Sequence, residues 1–394
     1  MSSPKLRAWW SHRQGLDGRL KGVSAAAVLA ETGWARSVGG VNPYFSVRAR
    51  AGIDRKQADA AVANLEIHEL PTARGCTYVL PAEDFALGLA AGEPFRDVEF
   101  KTAQKLGVTD AEMAKLRDAV VTALVTGVMS PDEIRDATGG ASRSLGEEGK
   151  KKGVTTTLPV ALGQLQARGE IRRVPIDGRL DQQRYKYTLW RPNPRAGFSL
   201  SPDEIQVELA RRFFRWIGPA TVVEFQTFAA LGVGATKKAV APLNLQPIDS
   251  DGQLLILPEM RDAFEAFEAP KEPQYSLVSN IDAITLLRHA IGDHVDPADG
   301  WRPVFDERKI SNLGSLTEMP NHGIVDRGRL IGLWEYDIFT HEIVWISFIG
   351  KNEELVSAVR KMEDYVRDEL GDARSFSLDS PKSRAPKVEF LRNA

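Results

Sequence analysis

Lys150, Lys151 and Lys152 stand together between two glycines, and further cations follow at Arg172, Arg173 and Lys186. From Gly139 to Arg195 there are twelve Lys and Arg against five Asp and Glu, a balance of +7 in a chain of formal net charge −2. A local surplus of this size is what contacts to a phosphate backbone require. The lysine run reads as a solvated, mobile loop. Its place just before a helix at Thr155 would also let it reach phosphate. Lys237 and Lys238 form a smaller pair on another helical pattern. The near-neutral whole argues against a protein that coats nucleic acid indiscriminately.

Other reactive groups carry less. His289, Asp293, His294 and Asp296 lie close together, but their spacing fits no usual metal site, and Gly292 and Pro297 mark a helix end and loop. No metal or cofactor is expected. Glu83 and Asp84 follow Pro81 at a helix start, where carboxylates complement the helix dipole, so a structural role is expected. The single cysteine, Cys76, excludes an internal disulfide and any multi-cysteine zinc site.

The basic window sits on recognisable elements. Ser130 as N-cap, Pro131 at the first helical position and Glu133 in the first turn open one helix. The run Thr155 to Arg168, with Leu158, Leu162 and Leu165 at helical spacing and Gly169 as its end, predicts a second. EIRRVPI and RYKYTLW then read as strands about the polar turn DGRLDQQ. Helix, helix, strand, wing, strand is a winged helix, which places its second helix in a major groove and its wing on the backbone. Helix-plus-hairpin recurs near residues 54–81 and 234–257, the latter with Asp-Gly at its turn. From Tyr275 the chain turns β-rich. A helix over NEELVSAVRKMEDYVRDEL follows, and SPKSRAPKVEFLRNA reads as a loose tail.

The expected fold is therefore α+β: tandem winged-helix domains, three in number, over 1–100, 101–195 and 196–272, then an antiparallel β-rich domain with a terminal helix over 273–394. No apolar run approaches the ~18 residues of a membrane span. The first residues, MSSPKLRAWWSHRQGLDG, lack the apolar core of a signal peptide. A cytoplasmic, monomeric protein with duplex DNA as partner is expected, with a non-catalytic regulator or a protein-contact module as alternatives.

Four stretches in order, ARGCTYVLPAEDF, GPATVVEFQTFAALG, NID followed by Arg288, and GRLIGLWEYD, resemble signatures of the bacterial AlkZ/YcaQ type of winged-helix DNA glycosylases. That resemblance implies excision of alkylated or crosslinked purines from duplex DNA, with no cofactor. It also implies a Gln-x-Gln pair after a Gly-rich turn. The corresponding stretch here is SVGGVNPYFSVRAR. Aligned on the glycines, Asn42 and Tyr44 take the glutamine positions; aligned on Pro-Tyr, Gly39 and Val41 do. The signature His is replaced by Tyr78, beside Arg74. Asn42 as the amide that holds water, with Tyr44 and Tyr78 shaping the lesion site, is one reading. The other makes Asn42-Pro43-Tyr44 a turn. The expectation is DNA binding retained, with weak or absent excision of simple N7- or N3-alkylpurines.

Overall fold

The structure, a computed structural model, describes residues 2–306 and 309–394. After α1 (Pro4–Arg13), one order of elements occurs three times, the second time with a short extra helix: helix, short strand or bridge, helix, helix, and two strands that pair as a hairpin. The first series is α2 (Ala25–Thr32), β1 (Ala35–Arg36), α3 (Asn42–Ala51), α4 (Arg55–Ala63), β2 (Ile67–Pro71) and β3 (Thr77–Pro81). β3 lies between β1 and β2 in an antiparallel sheet. A long helix, α5 (Phe85–Gln104), leads to the second series: α6 (Asp110–Leu124), a bridge at Met129, α7 (Pro131–Thr138), the short α8 (Gly146–Lys151), α9 (Thr157–Ala167), β4 (Ile171–Pro175) and β5 (Tyr185–Leu189). The third is α10 (Pro202–Ile217), a bridge at Ala220, α11 (Val222–Ala229), α12 (Val233–Val240), β6 (Gln246–Pro247) and β7 (Leu255–Ile256).

Local chemistry accounts for the starts of these helices. Ser130, Ser201 and Thr221 each accept from the N–H three residues on, while Glu133, Glu204 and Glu224 return to the cap backbone. Each reciprocal pair satisfies two donors that a helix start leaves open. The expected pairing of the second hairpin is present, Ile171 opposite Leu189 through Pro175 opposite Tyr185.

After α13 (Arg261–Ala266), the last part contains β8 (Tyr275–Val278), α14 (Ala283–Leu286), β9 (Pro303–Asp306), β10 (Lys309–Asn312), β11 (His322–Asp326), β12 (Arg329–Asp337), β13 (Glu342–Ser347), α15 (Glu353–Tyr365) and α16 (Pro381–Asn393). The antiparallel sheet runs β13-β12-β11-β8. SPKSRAPKVEFLRNA is not a loose tail but α16. Ser380 caps it, and Val388 and Leu391 are buried. Its one apolar stripe is thin and interrupted by Pro386, which hid it in the sequence.

The cores join distant parts of the chain. Trp9 and Trp10 of α1 donate to the carbonyls of Gly218 and Pro219. Arg288, fully buried, lies 3.6 Å over the Trp10 ring and donates to the Ile217 and Pro219 carbonyls. The NID stretch has a packing role as well: Asp282 binds Arg50 of α3 through both oxygens, at 2.8 and 2.9 Å.

Two expectations for the second series are corrected. α9 presents no groove-reading face: along it only Pro159 is exposed, and α5 packs across it so closely that a Cβ at Gly163 would meet Arg96 Cδ at 3.1 Å. The reason lies in its composition, TLPVALGQLQA, which has no charge and is apolar nearly all round, the mark of a buried helix. The wing is tied down too. Leu180 is buried, its N–H donates to the Tyr44 hydroxyl, Arg179 donates to the Leu370 carbonyl, and Arg374 donates to that of Asp181.

Candidate functional site

Asn42 and Tyr44 belong to the interior. Asn42 is 1% exposed, and its amide donates to the Arg36 carbonyl at 2.7 Å, tying the start of α3 to β1. Tyr44 is fully buried. Its hydroxyl donates to Asp59 and accepts from the Leu180 N–H at 2.9 Å. Burial first, then the Asp59 hydrogen bond, pushes the phenol well above its ordinary range. Both side chains are buried and their polar atoms are engaged by the protein's own groups, which counts against their reading as water-holding groups at a lesion. The glycine pair before them serves close packing: a Cβ at Gly40 would lie 2.1 Å from the Ser375 carbonyl oxygen. Tyr44→Phe is expected to cost about 1–3 kcal/mol, because Asp59 and the Leu180 N–H each lose a buried partner. Denaturant unfolding measures this, and an unchanged midpoint would show that water replaces the hydroxyl.

The cations expected to meet DNA divide into three groups. Lys150 and Lys151 lie on α8 rather than in a loop, exposed and paired with Glu147 and Glu148 one turn back. Such exposed pairs are weak enough for a phosphate to replace them. Lys152, Lys237 and Lys238 are also exposed, Lys238 beside Asp203. Arg172 and Lys186 are half-buried. Arg173 is committed inward, 4.7 Å from the Tyr185 ring and held charged by Tyr187 and Glu69 despite its burial. It is not a free phosphate contact. Lys152 and Arg173 do line one groove with Arg96 and Arg135, beside the N-terminus of α9.

Arg74 and Tyr78 are brought together in a cavity of about 200 Å³ where β1, the β2–β3 turn, α11 and the segment after α14 converge. Arg36 lines it too. Its guanidinium lies 5.3 Å from the Tyr78 ring centre and donates to the Thr77 carbonyl. Burial pushes Tyr78 up to about 12. Arg74 sits exposed at the rim with φ +60. Phe228 closes one wall. His289 and Glu318 line it as well, with Nδ1 and Oε1 3.5 Å apart. The His289 imidazole, 3.5 Å away, holds the Glu318 carboxyl below the usual carboxylate range, assisted by the charge of Arg74 and opposed by burial. His289 has φ +49, a conformation that costs a non-glycine residue energy and concentrates at functional sites. The remaining acids and histidines near it do not join it: His294 is buried on the Gly328 carbonyl, and Asp296 faces Arg329.

Arg36, His289 and Glu318 were not singled out from sequence as cavity groups. Nothing local links them, since 253 positions separate Arg36 from His289 and only the tertiary fold joins them. Arg36 does lie three residues after Gly33, on the strand that precedes the glycine pair.

A cavity with aromatic and cationic walls, set among repeated helix–hairpin series, is the arrangement of a protein that handles DNA bases. The chain belongs to the AlkZ-like DNA glycosylase family, whose model, described as "DNA glycosylase AlkZ-like", matches residues 35–337. Among solved structures it is similar to the Streptomyces sahachiroi DNA glycosylase AlkZ, with 20% identity, 95% of this chain and 98% of that one covered, and a TM-score of 0.67. At that identity the likeness is one of fold. No curated protein matches the sequence.

Proposed function

We propose that this chain binds duplex DNA, whether undamaged, alkylated or crosslinked, as a monomer in the cytoplasm, and presents one nucleotide to the cavity lined by Arg36, Arg74 and Tyr78. The three helix–hairpin series act as tandem winged helices over 1–100, 101–195 and 196–272, with 273–394 as the β-rich domain that completes the cavity. The observation that carries this reading is the convergence of the first series, the third series and the last part of the chain on one aromatic and cationic cavity. A base drawn from the stack needs such a pocket, with a face to stack on and polar groups for its edge. Excision of simple N7- or N3-alkylpurines is weak or absent.

Phosphate contacts come from the exposed Lys150, Lys151, Lys152 and Lys237, and from the half-buried Lys186 of β5. Replacing Lys150, Lys151, Lys152 and Lys186 by Ala is expected to weaken binding to all duplexes. It should also flatten the plot of log affinity against log salt by about 3–4 units, at ~0.9 per lost phosphate contact. Titrating a labelled undamaged duplex at several salt concentrations measures this. A slope unchanged by the four substitutions would put the DNA path elsewhere. A second reading, DNA binding without base chemistry, is favoured by the burial of Asn42 and Tyr44.

A further inference from the structure

We infer that the cavity is a hydrolytic site for an uncharged purine, in which His289 and Glu318 handle the proton and Arg36 and Arg74 hold the acceptor edge of the base. This rests on the reading of the chain as a DNA-binding protein and adds the substrate class and the reacting groups.

The argument begins with charge. The cavity carries two arginines and a histidine against one carboxylate. Among the described residues, neither Arg36 nor Arg74 has a carboxylate within ion-pair distance, so both cations are available. A purine alkylated at N7 or N3 is itself a cation, and like charges a few ångströms apart in a half-closed pocket repel. An uncharged 6-oxopurine, guanine or hypoxanthine, presents O6 and N7 as acceptors, the edge for which a guanidinium has matching donors. Tyr78 and Phe228 supply aromatic surface against the ring.

Chemistry completes the argument. A cationic purine leaves without help, whereas an uncharged one departs as an anion and needs a proton and nearby positive charge. Arg36 and Arg74 supply the charge. In the step itself, the oxygen of water bonds to C1′ as the C1′–N bond breaks. One proton of that water passes to the Glu318–His289 pair, and His289 returns a proton to the departing nitrogen. The products are an abasic deoxyribose and a neutral free base, with no other reactant. Glu318, ionised beside His289, also faces the positive charge that develops on the sugar. Selectivity against ordinary paired purines comes from extrusion, which costs least for a weakly paired base.

The experiment uses the full chain and two duplexes, one with a single hypoxanthine opposite T and one with a single N7-methylguanine. Binding and base release are measured on both. The expected result is faster release of hypoxanthine. His289→Ala and Glu318→Gln each lower that release by about 10²-fold, as losing a proton-transfer group does, and leave duplex affinity unchanged. Arg74→Gln, at an exposed position, narrows the preference for hypoxanthine over N7-methylguanine about 10-fold. A merely structural role for Arg74 would not move that ratio. Tight binding without hypoxanthine release overturns the inference, as does release that survives both His289→Ala and Glu318→Gln, or a preference for N7-methylguanine. Failure to bind either duplex overturns the DNA-binding reading itself, and the inference with it.

Discussion

Asp282→Ala lowers the stability of the fold by about 3–5 kcal/mol, the usual cost of removing one partner from a buried ion pair. Asp282 is 0% exposed, and Arg50 is buried beside it. Arg50 donates to both Asp282 oxygens, to the Ser46 carbonyl at 3.1 Å and to Gln14 Oε1 at 2.8 Å. Asp282 also caps α14 through the Ile284 N–H. Removing the carboxylate leaves a guanidinium in the interior with two neutral acceptors and no counter-charge, and it uncaps the helix that leads to His289. Because the pair joins α3 to the last part of the chain, the loss falls on the contact between them. Chemical denaturation followed by tryptophan fluorescence reads the effect. A loss below about 1 kcal/mol would mean that water enters and solvates Arg50. The double variant Arg50→Met with Asp282→Leu should recover most of the loss, since the penalty belongs to the orphaned charge and not to the missing attraction.

The sequence made some elements plain because their signals are local. A Ser or Thr cap answered by Glu three residues on fixes a helix start in four residues, and α7, α10 and α11 all begin that way. Gly169 (φ +70) after an apolar period fixes an end. What the sequence hid depends on partners far along the chain. α9 has the spacing of a helix, and spacing does not say which faces are covered. Its lack of charge was the available sign that α5 would lie across it. DGRLDQQ is polar, as a solvated wing is, yet Leu180 in its middle is the residue that docks it under Tyr44. The cavity was least legible. Arg74 and Tyr78 came with the resemblance to a family, while Arg36, His289 and Glu318 sit on separate segments, and His289 drew notice only beside neighbours that it does not join. Asn42 was singled out for its amide. The amide is used, but to hold the Arg36 carbonyl and so the strand on which a cavity residue lies.

Mild acid is expected to destabilise the fold before ordinary carboxylates begin to titrate. His68, His294 and His322 are each 1% exposed. Burial, the largest cause for all three, pushes their pKa values down to about 3, about 4 and about 4. His322 is held neutral, Nδ1 accepting from the Asn280 N–H and Nε2 donating to the Ala373 carbonyl. Among the described residues His68 has no hydrogen-bond partner, and it stands near Arg172 and Arg173. A histidine whose folded pKa is depressed is neutral in the fold, whereas the unfolded chain takes up its proton below about 6.5. Stability is therefore full above that pH and falls as pH drops from 6.5 towards the folded values. Each group contributes a slope of up to about 1.4 kcal/mol per pH unit. Glu69, Glu335 and Asp59 act in the opposite direction, because burial raises their pKa values and the fold binds their protons first. The histidines act from pH 6.5 downward, whereas each carboxyl opposes them only below its own raised folded value, so a net loss is expected. This should appear as a falling denaturation midpoint between pH 6.5 and 5. The carboxyls held low by partners, such as Asp17 and Glu318, add their loss only at lower pH. His68→Leu is expected to flatten the slope most clearly, since that imidazole has no hydrogen bond to lose and packs edge-on against Phe85 and Trp190. A midpoint that stays level or rises from pH 7 to 5 would mean that the buried carboxyls outweigh the histidines.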